Sequence, residues 1–209
     1  MLFRPRIANH YGDVETGLWW SDTPELDIGP DNEMAFMDLD LIENHPLTDA
    51  QRDFPSRHWA VTRGKPENLG DFFQGFDTRD VVISQRVADV IEELEPGVHD
   101  IIPIPNMWSF SGKVRVERPF CFLNVHAAAR TVDLERSDVE HSYRRPDGPK
   151  FVYLNSVLND DCTVLPGAGA GLHLWRDEPT LQTFMSQTLV DRLRDMSVLG
   201  CEFLECVMG

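Results

Sequence analysis

The chain has 209 residues, of which 42% are hydrophobic and 26% are charged. This length and composition allow a buried core and disfavour a disordered segment. The formal net charge of −16 argues against nucleic-acid recognition, which needs clustered lysine and arginine, and against binding to anionic membrane surfaces. The same charge favours solubility and fast association with a basic partner.

The N-terminal sequence and the cysteines bear on location. The first residues, MLFRPRIANHYGDV, lack the apolar core of a signal peptide, and no apolar run approaches the roughly 20 residues that cross a bilayer. We therefore predict a cytoplasmic protein that does not contact membranes. In that compartment Cys121, Cys162, Cys201 and Cys206 are expected to be buried, reduced thiols.

Most of the net negative charge lies in one N-terminal segment. From Ile7 to Gln51 there is no lysine or arginine. The same segment carries eleven acidic residues: Asp13, Glu15, Asp22, Glu25, Asp27, Asp31, Glu33, Asp38, Asp40, Glu43 and Asp49. Within it, Met34–Ile42 fits a short strand or a short helix, and Pro46–Phe54 fits a helix capped by Thr48.

The middle of the chain predicts short elements of both kinds. The pattern predicts a strand over His58–Arg63 and a short helix over Asn68–Phe76. Arg144–Lys150, with the sequence RRPDGPK, predicts a turn or loop. Three further segments have the composition of strands: Phe120–Val125, Phe151–Leu158 and Gly171–Trp175.

Two segments, 102 residues apart, share one order of elements. In the first, the apolar stretch Val81–Ile83 precedes a helix that Ser84 caps and that Pro96-Gly97 stops, and the strand Val98–Ile104 follows. The apolar face of this helix is formed by Val87, Val90, Ile91 and Leu94.

The second segment lies at the C-terminal end. Thr183–Met185 enters a helix that Ser186 caps, Gly200 ends the unit's helical part, and Cys201–Val207 predicts a strand. Its apolar face is formed by Leu189, Val190, Leu193 and Met196. Three identities align the segments: Ser84 with Ser186, Gln85 with Gln187 and Asp89 with Asp191. The similarity fits either a duplication or two unrelated serine-capped helices, since such helices are common.

Together these elements predict an α+β fold. We expect a mixed or antiparallel sheet with a few packed helices, and a possible internal duplication of the cap–helix–strand unit. A single domain over residues 1–209 is expected, with an acidic part at 1–70 and a core part at 71–209. Because each helix buries its apolar face, replacing Leu94 or Leu193 with aspartate should unfold the protein.

Candidate catalytic patterns are weak. The glycine run Pro166–Gly171 (PGAGAG) precedes LHLW, which predicts a strand and not the helix that a phosphate loop needs, so a turn is favoured. Cys162 and His173 flank this run and could meet as a thiol nucleophile and its base, but a buried thiol is commoner. His99-Asp100 is expected to face solvent. No CxxC or HExxH motif occurs, and we expect neither a metal nor another cofactor.

A binding surface is the stronger possibility. Trp19 and Trp20 lie beside Asp22, which suits an aromatic anchor with an acidic rim, although a core contact for the N-terminal segment is the favoured explanation of the tryptophans. The candidate interface consists of Trp19, Trp20, Asp22, Glu25, Asp27, Asp31 and Glu33.

The two serine-capped units also carry a family resemblance. The stretches VVISQRVADVIEELEPGVHDIIPI, FCFLNVHAAARTVDLERS and LHLWRDEPTLQTFMSQTLVDRLRDMSVLGCEFLECV resemble bacterial polymorphic-toxin immunity proteins, a family first catalogued as a domain of unknown function. Its aromatic–[IV]–P–[VI] strand is matched by Ile102-Pro103-Ile104, and its terminal G–x–[EQ]–F by Gly200-Cys201-Glu202-Phe203. The resemblance covers Asp71 to Val207, and residues before it match loosely.

The resemblance implies a non-enzymatic protein that binds and neutralises a cognate toxin delivered in interbacterial competition. It transfers no catalytic residues. A toxin that attacks nucleic acids would carry a basic groove, which the acidic segment could occupy, so we expect a basic protein partner that could be a nuclease. Two alternatives stay open: a small cytoplasmic hydrolase using Cys162 or His173, and a non-catalytic adaptor of a secretion system.

Overall fold

The computed structural model describes residues 1–7, 10–11, 14–15, 18–21, 34–35, 45–62, 64–74, 81–109, 114–143, 150–154 and 162–209. These residues form three α-helices: α1 Asp49–Arg57, α2 Gln85–Leu94 and α3 Gln187–Asp195. A single 3-10 turn spans Pro66–Asn68. The combination of helices with mostly antiparallel sheets is an α+β fold, as the sequence predicts.

Among the described residues, twenty strands accompany the helices. In chain order they are β1 Leu2–Ile7, β2 His10–Tyr11, β3 Val14–Glu15, β4 Leu18–Ser21, β5 Met34–Ala35, β6 Trp59–Thr62, β7 Phe72–Gln74, β8 Val81–Ser84, β9 Asp100–Ile104, β10 Met107–Ser109, β11 Val114–Arg115, β12 Phe120–Asn124, β13 Ala128–Ala129, β14 Val139–Tyr143, β15 Lys150–Leu154, β16 Thr163–Val164, β17 Leu174–Asp177, β18 Thr183–Ser186, β19 Cys201–Glu205 and β20 Val207–Met208.

Three sheets carry most of the fold. Their strand orders are β13-β17-β18-β1-β19, β7-β8-β12-β9 and β11-β10-β6-β4-β5, and we call them the terminal, central and outer sheets. Two-stranded pairs join β14 with β15, β16 with β20, and β2 with β3. The first strand of the chain therefore lies inside the terminal sheet, between β18 and β19.

The central and terminal sheets are built in the same way. In the central sheet, β7 pairs with β8, α2 follows, and β9 returns with β12 inserted between β8 and β9. In the terminal sheet, β17 pairs with β18, α3 follows, and β19 returns with β1 inserted between β18 and β19. The N-terminal strand thus takes the place in one unit that β12 takes in the other.

The strand registers of the two units agree residue for residue. Phe72 lies opposite Ile83 in the central sheet, and Leu174 opposite Met185 in the terminal sheet. Both residues of the second pair lie 102 positions after those of the first, which is the offset that aligns Ser84 with Ser186. The structural correspondence therefore extends beyond the helices, while a duplication as its origin stays a prediction.

Three apolar clusters fill the space around these layers. In the first, α2 and α3 pack with Val87, Ile91, Leu189 and Leu193 against one face of the central and terminal sheets. The second lies on the other face of the central sheet, toward the outer sheet and α1, and the third on the other face of the terminal sheet. Each of these two sheets is therefore buried on both faces.

Burial on both faces explains one wrong prediction. The helix expected over Asn68–Phe76 does not form, because Phe72–Gln74 is strand β7. Phe72 packs in the first cluster and Phe73 in the second, so neighbouring residues of the strand are both fully buried. A strand covered on both sides shows a continuous apolar run, which periodicity alone does not separate from a helix.

The three helix starts follow their cap residues. Thr48 precedes α1 and forms the reciprocal capping box with Gln51, and Ser186 precedes α3 and accepts the N–H of Leu189 at 3.2 Å. α2 also begins directly after Ser84, as predicted. The Ser84 hydroxyl, however, donates a hydrogen bond to the Asp71 carboxylate at 2.7 Å and makes no capping hydrogen bond. The predicted position of the cap is correct, but its hydrogen-bond partner is a carboxylate and not a backbone N–H of the helix.

Candidate functional site

The acidic interface candidates lie on one connection of the outer sheet. β4 ends at Ser21, β5 begins at Met34, and these two residues lie opposite each other in the antiparallel pair. The residues between them, 22–33, fall outside the described residues and include Asp22, Glu25, Asp27, Asp31 and Glu33. Both ends of this connection are therefore held at one place on the outer sheet.

The two tryptophans of the candidate interface occupy β4. Trp20 is only 4% exposed and packs in the second cluster, edge-on to Phe54 at 5.3 Å between ring centroids. In the described structure Trp20 is therefore a core contact and not an exposed anchor. Trp19 lies opposite Val61 in the sheet, and its side chain falls outside the description.

The glycine run between β16 and β17 is a turn. Gly167, Gly169 and Gly171 all have positive φ, and strand β17, not a helix, follows the run. Without a helix N-terminus behind it, the run lacks the anion-binding geometry of a phosphate loop. A Cβ on Gly169 would lie 2.2 Å from the Trp175 ring, so this glycine lets the turn cross a buried side chain.

The structure gives Cys162 and His173 different partners. The Cys162 thiol is fully buried and packs in the third cluster with Cys206. His173 Nδ1 lies 2.9 Å from the Ser186 hydroxyl. The equivalent position of the other unit holds Asp71, which accepts the hydroxyl of Ser84. Since a serine and a polar partner recur at the start of both helices, we interpret this contact as structural.

Asp71 connects the two units from a fully buried position. Its carboxylate accepts hydrogen bonds from Arg86 Nε at 2.7 Å, the Leu199 N–H at 2.9 Å and the Ser84 hydroxyl. Burial opposes ionisation, but the hydrogen bonds from Arg86, Leu199 and Ser84 outweigh it and lower the pKa of Asp71. The charged carboxylate therefore ties β7 to the segment after α3.

Glu95 makes the corresponding connection in the opposite direction. It follows α2, and its carboxylate accepts the backbone N–H groups of His173 at 2.7 Å and Leu174 at 2.9 Å. The oxygen that accepts the Leu174 N–H, Oε2, also lies 3.0 Å from His99 Nε2. Burial again opposes ionisation, and the hydrogen bonds from His99, His173 and Leu174 outweigh it, so the pKa of Glu95 is lowered.

The expectation that His99-Asp100 faces solvent is wrong. His99 is 7% exposed and Asp100 is 3% exposed. Asp100 accepts the Leu47 N–H at 2.7 Å and the Asn124 side-chain amide at 3.0 Å, and Arg52 pairs with it at 2.5 Å. These contacts hold the start of α1 against β9. The polar pair at this strand edge does not mark a solvated end, because the Asp100 carboxylate binds Leu47 of the acidic segment.

Sequence reasoning missed the roles of Asp71, Glu95 and Asp177. Asp177 is also fully buried, and it accepts the N–H groups of Thr131 and Val132 and the hydroxyl of Thr180. The 102-residue offset was the available signal for one of them, because Asp71 and His173 occupy equivalent positions in the two units. All three carboxylates accept hydrogen bonds from other parts of the fold.

The cysteines are free thiols among the described residues. Cys121, Cys162 and Cys206 are buried as expected, and Cys201 is only partly buried. Within the described ranges, no group of three or more histidine, cysteine or acidic side chains could hold a metal ion. In the same ranges, no helix has the length and apolar character that a membrane span requires.

Comparison with protein families identifies the class. The sequence model of the immunity protein family Imm11 matches residues 25–208, which include the central unit, the terminal unit apart from β1, and most of the connection between β4 and β5. The chain therefore belongs to the Imm11 immunity protein family. Membership implies a partner toxin and a non-enzymatic role. No curated protein matches the chain.

Proposed function

We propose that this immunity protein acts in the cytoplasm, where it binds and neutralises a cognate toxin delivered between competing bacteria. The match to an immunity family over residues 25–208 is the observation that carries the proposal. The use of Asp71, Glu95 and Asp177 as internal connections supports a binding role, because the described contacts of these buried carboxylates hold parts of the fold together.

We further propose that the partner is basic and attacks nucleic acids. A nuclease holds phosphate groups in a positively charged groove, and a protein of net charge −16 is attracted to such a groove over a long range. Electrostatic attraction of this kind speeds association more than it strengthens the final complex. The partner is thus expected to associate quickly at low ionic strength.

The proposed interface is the connection between β4 and β5. Asp22, Glu25, Asp27, Asp31 and Glu33 crowd into the twelve residues between Ser21 and Met34. The buried Trp20 supports this proposal, since its packing against Phe54 helps to hold β4, where the connection begins, in the outer sheet. In this arrangement Trp20 positions the acidic connection, and Trp19 remains the candidate aromatic contact.

Co-expression tests the function itself. The toxin would be taken from the neighbouring gene and produced with and without this chain, with growth and co-purification as the two readouts. We expect growth to be restored and a complex to be recovered. Leu193→Asp, which should not fold, is the control that separates specific protection from reduced toxin synthesis. If the folded chain neither restores growth nor binds that toxin, the pairing is wrong.

Charge replacement tests the interface. The five acids of the connection are changed to Asn and Gln, and association with the toxin is followed at low and high salt. The matched control removes the same charge from five exposed acids elsewhere: Glu67, Glu117, Glu135, Glu178 and Asp195. We expect the interface set to lower the association rate about tenfold or more at low salt, and the control set much less. Equal effects would mean that only net charge matters.

A further inference from the structure

The outer sheet turns one of its two faces away from the apolar clusters. Along β6, Ala60 packs in the second cluster, so its neighbours Trp59 and Val61 take the opposite face. β10 continues both faces, because Met107 lies opposite Ala60 and Trp108 lies opposite Val61. Met107 also packs in the second cluster, whereas Trp59, Val61 and Trp108 belong to none of the three described clusters. We call the surface around these last three residues the aromatic face.

Two tryptophan rings form most of the aromatic face. Trp59 and Trp108 meet edge to face, with 6.0 Å between their ring centroids, and both residues are partly exposed. Among the described residues, the indole N–H of Trp108 has no acceptor, so no hydrogen bond fixes this ring. The nearby helix α1 lies on the other face of the sheet, where its Phe54 packs against the second cluster. The two rings therefore keep part of their surface for contact with a partner.

The aromatic face borders the proposed acidic interface. Ser21, the last residue before the acidic connection, lies opposite Trp59, and Trp19 lies two residues earlier on the same strand. At the other edge of the sheet, the exposed Arg115 of β11 lies opposite Trp108. Acidic residues therefore follow the chain at the Trp59 end of the aromatic face, and an arginine flanks the Trp108 end.

A tryptophan ring beside acidic side chains is suited to bind a cation. The face of an aromatic ring carries partial negative charge, and an arginine that stacks on it gains both cation–π attraction and apolar contact. Such an arginine loses part of its hydration, and neighbouring carboxylates compensate for that loss. In many interfaces a few aromatic anchors contribute most of the binding energy, while charged residues around them mainly speed association.

We propose that the aromatic face is the anchor of the toxin interface, and that an arginine side chain of the basic toxin stacks on Trp59. Trp108 supports the Trp59 ring through their edge-to-face contact and extends the surface toward Arg115. This inference rests on the proposed function, since it takes the partner to be a basic toxin. It adds the residues that should control the dissociation rate, whereas the acids of the connection control the association rate.

The main experiment uses the full wild-type chain, alone and mixed with the purified toxin of the neighbouring gene. Brief hydroxyl-radical oxidation followed by mass spectrometry measures the reactivity of each tryptophan and methionine side chain. We expect the toxin to lower the oxidation of Trp59 and Trp108 several-fold and to leave that of Met208, which is 53% exposed in β20, unchanged.

Two contrary outcomes have different meanings. A complex in which Trp59 and Trp108 stay as reactive as in the free chain would overturn this inference alone. If the wild-type chain forms no complex with that toxin, the proposed function fails for this pair, and the present inference fails with it.

Variants measure the contribution of the rings to the dissociation rate. Trp59→Ala should raise this rate about 30-fold, as expected for an anchor residue, and Met208→Ala, the matched control, should not change it. Trp59→Phe should dissociate more slowly than Trp59→Leu, because only the phenyl ring attracts a cation. Equal rates for Phe and Leu would refute the arginine contact, and equal rates for Trp59→Ala and the control would refute the anchor. Circular dichroism checks each fold, and the oxidation experiment on the wild type needs no variant.

Discussion

The Glu95 carboxylate accepts the backbone N–H of His173 at 2.7 Å, although the two residues are 78 positions apart. Glu95 closes α2 of one unit, and His173 leads into the hairpin of the other. Asp71 makes the reciprocal contact by accepting the N–H of Leu199 after α3. The two units are thus joined by a pair of buried carboxylates as well as by apolar packing between their helices.

Replacing Glu95 with alanine should therefore destabilise the whole fold. Two backbone N–H groups would lose a charged acceptor in a buried place, which we expect to cost about 3 kcal/mol in the free energy of unfolding. Glu93→Ala is the matched control two residues earlier, in α2, because the Glu93 side chain is 61% exposed and pairs with Arg192 at the surface. Urea unfolding measures both, and equal midpoints would contradict the assigned role of Glu95.

The same carboxylates predict loss of stability in acid. A depressed pKa in the folded state means that Asp71 contributes its full stabilisation above about pH 4, its unfolded pKa, and loses it as pH falls through the lower folded value. Asp71→Asn should lower stability at neutral pH. It should also flatten the fall below about pH 4, by up to about 1.4 kcal/mol per pH unit. Denaturation curves across this range test both effects.

Glu178→Gln serves as the control in that series, since Glu178 is exposed. Its stability curve should follow that of the wild type throughout the acid range. An Asp71→Asn curve as steep as the wild type's would mean that protonation of other carboxyl groups controls unfolding in acid.

Gly169→Ala should be much more harmful than Gly171→Ala. Both glycines have positive φ, so each substitution strains the backbone by about 1 kcal/mol. Only at Gly169 would the new Cβ also meet the ring of Trp175, whose indole N–H is held by the Thr131 hydroxyl at 2.7 Å. We expect a total cost of about 3 kcal/mol there, with a change in tryptophan fluorescence. Equal melting temperatures would show that the ring moves aside.

Leu193→Ala should cost about 2–5 kcal/mol in the free energy of unfolding, since Leu193 is fully buried in the first cluster between α3 and the sheets. Leu199→Ala is the control, because Leu199 is 54% exposed, and it should change stability by less than about 0.5 kcal/mol. Chemical unfolding of the two variants gives the comparison. A small loss at Leu193 would mean that neighbouring side chains fill the cavity.

The sequence was most informative where one face of an element meets water. α2 and α3 were predictable because Val87 and Ile91 in one helix, and Leu189 and Leu193 in the other, recur at helical spacing between exposed polar residues. β7 was not, since Phe72 and Phe73 are both buried on opposite faces. Local patterning carries no information about which second layer covers a strand.

Long-range partners account for the rest. The contacts of Asp71 with Leu199 and of Glu95 with His173 join residues distant in sequence, and no local pattern specifies them. The sequence allows two positions for Trp20, at an interface or in the core, because an aromatic residue beside acidic residues suits both. The neighbouring positions of Cys162 and Cys206 depend on β16 and β20 running side by side, which no spacing in the sequence indicates.

The position of β1 has a consequence for synthesis. Arg6 and Glu202 pair across adjacent strands although 196 residues separate them. At a translation rate of roughly 5–20 residues per second, β1 waits about 10–40 s before β19 leaves the ribosome. Throughout that interval both edges of β1 lack their eventual strands. The central sheet, whose strands are all encoded earlier, can form first. Nascent chains should therefore carry an open edge until β18 and β19 have been synthesised, and a chaperone that shields it should raise the yield of folded protein.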